Sequence, residues 1–212
     1  RSKKQKLLVE KDHLFEEFTV AGTTYRYQQV EASFTQPNAN VCEKMLNWAV
    51  DHSQGFEGDL LELYCGNGNF TLPLSRNFNK VVATEVSKTS VESATCNIRL
   101  NGIENIQIAR MSSEEFSQAM DKVREFNRLK HINLDEHHFS TIFVDPPRAG
   151  LDPHTLEVTQ RFDNIIYISC NPNTLLDNLG ELTKTHEITA FALFDQFPYT
   201  HHAECGIILK KK

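Results

Sequence analysis

Long apolar runs are missing from this chain. No stretch approaches the roughly 18 residues that a membrane-spanning helix needs, so no membrane role is expected. No apolar segment follows the basic stretch at residues 1–6, so no secretory signal is read there. Glycine and proline are scarce, nine and seven in 212 residues, which excludes a low-complexity or collagen-like chain. Cysteines number five, an odd count with no Cys-x-x-Cys pair. That argues against a disulfide framework or a structural zinc site, and a reducing cytoplasm is expected. Positive charge is in deficit. A net charge of −6 argues against a general nucleic-acid coat protein. The deficit is uneven: residues 1–12 carry five basic and two acidic side chains, and Lys210–Lys212 form a second basic cluster. Solvated termini are the ordinary reading of both. If RNA is a partner, its contact surface is local. The chain starts with Arg rather than Met, so a longer parent chain is expected.

What is present suits one domain: 40% hydrophobic and 24% charged residues over 212 positions, enough for a sizeable core. Leu14–Val30 reads as β segments around a turn at Ala21-Gly22. Asn38–His52 reads as a helix capped by Asn38. From Asp59 onward, strand-like and helix-like runs alternate. The strands are expected at 59–64, 80–86, 106–111, 141–145, 164–169, 188–194 and 206–209. The helices are expected at 70–77, 90–101, 114–128, 153–161 and 174–184. Apolar strands alternating with helices predict a doubly wound, mostly parallel sheet of seven strands. The link between the last two strands is too short for a crossover, so the last strand is expected antiparallel, at or near an edge.

Four segments carry chemistry. Glu62-Leu63-Tyr64-Cys65-Gly66-Asn67-Gly68-Asn69 is a Gly-x-Gly turn between a strand and a helix, where a ligand can approach the backbone closely. Glu85 ends the next strand, in place to bind ribose hydroxyls. Position 71 is Thr where a dinucleotide fold wants a small residue. S-adenosylmethionine therefore fits better than a nicotinamide nucleotide, and a structural turn is the plain alternative. Asp145-Pro146-Pro147-Arg148 makes a rigid loop at a strand end. It suits an amino-group methyltransferase or a capped turn. Cys170 follows the next strand and reads as a nucleophile or a buried thiol. In Tyr199–Cys205, His201, His202, Glu204 and Cys205 crowd too closely for good tetrahedral metal geometry, so Glu204 reads better as a general base.

Taken together, these segments resemble the RNA 5-methyluridine methyltransferases, in particular those that make ribothymidine in the T-loop of tRNA. Ser33-Phe34-Thr35-Gln36-Pro37-Asn38, Ile168-Ser169-Cys170-Asn171-Pro172 and Phe194–Cys205 add to the likeness, which spans residues 33–212. The resemblance implies a Rossmann-like, class I S-adenosylmethionine-dependent fold. It implies Cys170 as nucleophile and Glu204 as base. Gln36, Tyr64, Gly66, Asn69, Glu85 and Asp145 would hold the methyl donor. It implies a tRNA T-arm as partner, with other T-like loops in rRNA or tmRNA as alternatives, and no obligate protein partner. The iron–sulfur cysteine cluster of the ribosomal-RNA relatives has no counterpart here, and no metal is expected. RNA cytosine-5 methyltransferases carry a second cysteine just after the proline of the Asp145 loop; its lack here favours uracil. Residues 1–32 are expected to be the end of an RNA-gripping β region and 33–212 the catalytic domain. Phe34, Phe197 and Tyr199 are candidates to stack on a flipped-out base, although each is an ordinary core aromatic otherwise.

Overall fold

A computed structural model describes residues 11–31 and 33–212. The basic residues at positions 1–6 lie outside the described residues. The chain opens on an antiparallel hairpin, β1 (His13–Val20) and β2 (Thr23–Val30). Ala21 and Gly22 both take positive φ, 46° and 78°, which matches the right-handed twist of the strands. Helix α1 (Ala39–His52) follows, with Asn38 Oδ1 accepting from Val41 N.

Seven further strands form one sheet: β3 (Asp59–Leu63), β4 (Val81–Glu85), β5 (Ile106–Arg110), β6 (Phe139–Val144), β7 (Asn164–Ser169), β8 (His186–Phe194) and β9 (Glu204–Lys211). Their order is β5-β4-β3-β6-β7-β9-β8. β3 pairs parallel with β4 and with β6, and the chain reverses its direction of winding there. Ligands of such sheets sit outside the carboxyl ends at that switch point. β9 is antiparallel to both β7 and β8, one strand in from the edge, as expected.

Both faces of the sheet are covered. On one, the hairpin, α1, α2 (Thr71–Leu74) and α3 (Lys88–Leu100) pack over a core that includes Phe18, Tyr27, Met45, Leu46 and Phe143. On the other, α4 (Ser113–Met120), α5 (Pro153–Thr159) and α6 (Pro172–Leu182) cover Leu61, Ile142, Ile165 and Ile207. The hairpin is thus part of the main core, and Gln28 N and Arg26 N donate to Asn97 of α3 and to its C-cap, Asn101.

One element departs clearly from expectation. α4 ends at Met120 rather than continuing to Arg128. Lys122 takes φ 54°, its N–H bonds Ala119 O, and Val123 N bonds Gln118 O. That is a Schellman termination, with lysine in the left-handed place that glycine usually fills. Two short 3₁₀ turns, at Asn127–Leu129 and Leu134–Glu136, follow before β6.

Candidate active site

The turn after β3 is sharp. Tyr64 has φ 64°, unusual for a residue with a Cβ, and Gly66 has φ 56°. Tyr64 is tied down by its hydroxyl, which donates to Ser113 Oγ at 3.0 Å. Gly68 takes φ 86°, which strains any residue with a Cβ, and an added Cβ would also press on Leu72 Cδ1 at 2.8 Å, so a side chain is disfavoured there. Glu85, at the end of β4, accepts from Gly66 N (3.1 Å) and Ser87 N (2.7 Å), which holds its carboxylate beside the turn. Asn69 is buttressed from below: Tyr27 Oη donates to its carbonyl (3.0 Å), and its Nδ2 meets Cys42 Sγ (3.3 Å).

β6 and β7 add the next two groups. Asp145 follows β6, and the Pro-Pro-Arg loop beyond it is fastened to the start of α6. Asn171 Nδ2 (2.9 Å) and Thr174 Oγ1 (3.2 Å) both donate to Arg148 O. Cys170 follows β7 and immediately precedes Asn171, the N-cap of α6. The positive end of that helix favours a thiolate.

The antiparallel β9 supplies the last group. Its register pairs Ser169 with Cys205, so one step beyond the ladder Glu204 stands opposite Cys170. A parallel strand entering there would have begun at the far edge of the sheet. Antiparallel entry is what brings Glu204 to the carboxyl edge.

These groups enclose a cleft of about 490 Å³. All eight residues singled out in the sequence line it: Gln36, Tyr64, Gly66, Asn69, Glu85, Asp145, Cys170 and Glu204. Arg148 and the exposed Phe34 line it too. The other two aromatic candidates do not: Phe197 packs edge-on against His202, and Tyr199 stands wholly in solvent. His202 accepts from Arg148 Nη1 at 3.0 Å. Among the described residues no three His, Cys, Asp or Glu side chains gather as metal ligands.

The cleft is rich in carboxyl groups held out of water. Glu204 is 2% exposed and its Oε2 has no partner. Burial pushes it up to about 7, against the pull of Arg148. Burial, and then the Glu204 charge, push Asp145 up to about 8. Burial also raises the Cys170 thiol, Glu204 and Asp145 raise it further, and Arg148 opposes them. The resting cysteine is therefore a thiol, next to a base that is about half ionised near neutral pH.

Among the lining residues that sequence reasoning passed over are Glu62 and Gln29. Glu62 sits in the middle of β3, 1% exposed, with Oε2 unpartnered and its acid pushed up to about 8 by burial and by Asp145. A lone carboxylate inside the apolar run Leu60–Leu63 was its signal. Gln29 reaches the cleft from β2 and accepts from Asn67 Nδ2 at 2.7 Å, a contact no local pattern announces.

Comparison with known proteins shows the family and the fold. A sequence model of the family described as tRNA (Uracil-5-)-methyltransferase matches residues 1–212. A tRNA/tmRNA (uracil-C(5))-methyltransferase of Cellvibrio japonicus is 69% identical over the whole chain, and one of Saccharophagus degradans is 65% identical. The chain spans 58% of the length of each of these relatives. Among solved structures, the tRNA (uracil-54, C5)-methyltransferase of Pyrococcus abyssi, in complex with S-adenosyl-L-homocysteine, superposes with a TM-score of 0.73 at 26% identity. The match covers 99% of this chain and 48% of that one. The Thermus thermophilus 16S rRNA N2 G1207 methyltransferase shares the fold at 16% identity, with a TM-score of 0.63 over 99% of this chain and 53% of that one. The chain belongs to the tRNA (uracil-5-)-methyltransferase family.

Proposed function

We propose that this chain is the catalytic part of an enzyme that moves a methyl group from S-adenosylmethionine to carbon 5 of a uridine in the T-loop of tRNA. Residues 33–212 form the catalytic domain in this reading, residues 1–32 close an RNA-gripping region, and the protein works in the cytoplasm. The observation that carries the reading is the meeting of Cys170 and Glu204, through the β7–β9 register, in the cleft that also holds the Gly66 turn and Asp145.

The cleft fits the donor. Glu85 is held where a ribose diol can be bound, and the Gly66 turn admits close approach of a ligand to the backbone. The buried carboxyls of Glu62 and Asp145 are protonated at rest, and a cationic ligand beside them would favour their ionised form and gain a countercharge. Gln36, Tyr64, Asn69, Glu85 and Asp145 would hold S-adenosylmethionine, which supplies an electrophilic methyl.

The protein's own groups supply the rest. Carbon 5 of uracil is a poor nucleophile. The Cys170 thiolate adds to carbon 6 and makes carbon 5 enolate-like and reactive. Arg148 and the α6 N-terminus favour the thiolate that starts the step. Carbon 5 then takes the methyl as its bond to the sulfonium sulfur breaks and adenosylhomocysteine is left; Glu204 removes the proton from carbon 5, and Cys170 leaves as the double bond reforms. Glu204, with its acid near 7, suits proton abstraction at neutral pH. The cleft contains both reacting groups in a fixed arrangement, so the target base must leave its stack to enter.

The curated relatives are named for tRNA and tmRNA, and in this reading a T-like loop in either RNA would present the target uridine. The test is single-turnover transfer of labelled methyl to a T-arm RNA, with the product mapped by base. Label on carbon 5 of one loop uridine is expected. Label on an exocyclic amine would overturn the reading in favour of amino-group transfer.

A further inference from the structure

We propose that Gln196 is a positioning residue for the methyl donor, acting through Gln36. The inference rests on the donor site proposed above and deepens it. Gln196 lies in the loop between β8 and β9, outside the lining of the cleft, and is 2% exposed. Its Nε2 donates to Gln36 Oε1 at 2.7 Å, across 160 positions of sequence. Its own Oε1 is buried without a partner. In the observed orientation Gln196 leaves Oε1 and one N–H without partners; the reverse orientation would leave both of its N–H groups so, and an orphaned buried N–H is the rarer of the two.

Its consequence for Gln36 is specific. With Oε1 already engaged, the N–H groups are what the Gln36 amide has left to offer a ligand in the cleft it lines. The donor must offer an acceptor atom there, an oxygen or a ring nitrogen. Gln196 also sits eight residues before Glu204 in the same connection, and its backbone N–H is held by Phe194 O at 2.9 Å. One hydrogen bond thus joins the segment that carries Gln36 to the loop that leads to the base.

The test is calorimetric binding of adenosylhomocysteine to this chain and to Gln196→Met, Gln36→Leu and the double variant. Methionine keeps the length of glutamine and removes the donor; if it lowers the melting temperature steeply, Gln196→Leu takes its place. Gln196→Met should bind about tenfold more weakly, equal to about 1.4 kcal/mol. The double variant should bind no more weakly than Gln36→Leu alone. At saturating donor, the methyl-transfer rate of Gln196→Met should stay near that of the unaltered chain, with the defect confined to the donor KM. Unchanged affinity in Gln196→Met, additive losses in the double variant, or a rate defect that saturating donor does not repair would each overturn the proposal. The last result would make Gln196 a mere support for the Glu204 loop. If the unaltered chain itself fails to bind adenosylhomocysteine, the donor site falls, and this proposal with it.

Discussion

Replacing Glu62 by glutamine should change how stability depends on pH. Glu62 is 1% exposed, and its acid rises from an ordinary 4.5 to about 8, chiefly through burial, with a Thr71 hydrogen bond opposing and the Asp145 charge adding a smaller push. Between those two values the folded chain binds more protons than the unfolded one. Stability is therefore lost as pH rises through that window, at up to about 1.4 kcal/mol per pH unit. Glu62 alone should then destabilise the fold by roughly 3 kcal/mol at pH 7 compared with a carboxyl left in water, with most of that cost arriving between pH 5 and 8. Glu62→Gln keeps the shape and removes the titration. Its new amide brings two N–H groups, of which the otherwise unpartnered Thr71 hydroxyl can take one, so part of the gain is offset, by about 1–3 kcal/mol. The absolute change at one pH is thus a poor readout, and the slope is the informative one. Urea unfolding at pH 5, 6, 7 and 8, at constant ionic strength, should show a fall for the unaltered chain that is smaller in Glu62→Gln by about 3 kcal/mol over the range. Asp145 and Glu204 still titrate in the variant, so some fall remains. The same fall in both proteins would refute the assignment of a neutral, buried Glu62.

Three further outcomes are expected. The rate of methyl transfer should rise between pH 6 and 8 as Glu204 ionises, and Glu204→Gln should lose that limb and accumulate a covalent protein–RNA adduct with ordinary uridine; a variant that turns over normally would remove Glu204 as the base. Gly206→Ala should cost about 1–3 kcal/mol, because its Cβ would lie 2.7 Å from Trp48 Cζ3, and the fluorescence of this single tryptophan should shift; unfolding at unchanged urea concentration would contradict the packing. Tyr27→Phe should cost about 1 kcal/mol in stability and weaken adenosylhomocysteine binding, since its hydroxyl supports Asn69 O; unchanged binding would detach Asn69 from the donor site.

The legible parts of this chain were those in which chemistry and backbone geometry share a short segment. The Gly66 turn, the Asp145 loop and Cys170 each follow an apolar strand directly, so their common edge could be read from the order of elements alone. The antiparallel entry of β9 followed from the shortness of its link, and it explains how Glu204 reaches Cys170. What stayed hidden depends on contacts distant in sequence or on unmarked backbone turns. Lys122 ends α4 without the glycine that would have announced it. Gln29 belongs to a hairpin whose packing against α3 runs through Asn97 and Asn101, and nothing local ties it to the cleft. Gln196 and Gln36 meet only after the sheet has closed.

The central claim is covalent catalysis by Cys170, and a trapping experiment tests it most directly. A T-arm RNA carrying 5-fluorouridine at the target is mixed with the chain and S-adenosylmethionine, and the mixture is run on a denaturing gel. Glu204 cannot remove fluorine as it would a proton, so the adduct should persist, map to Cys170 by mass spectrometry, and vanish in Cys170→Ala. An adduct of undiminished yield in Cys170→Ala, or one joined to a different residue, would contradict the account.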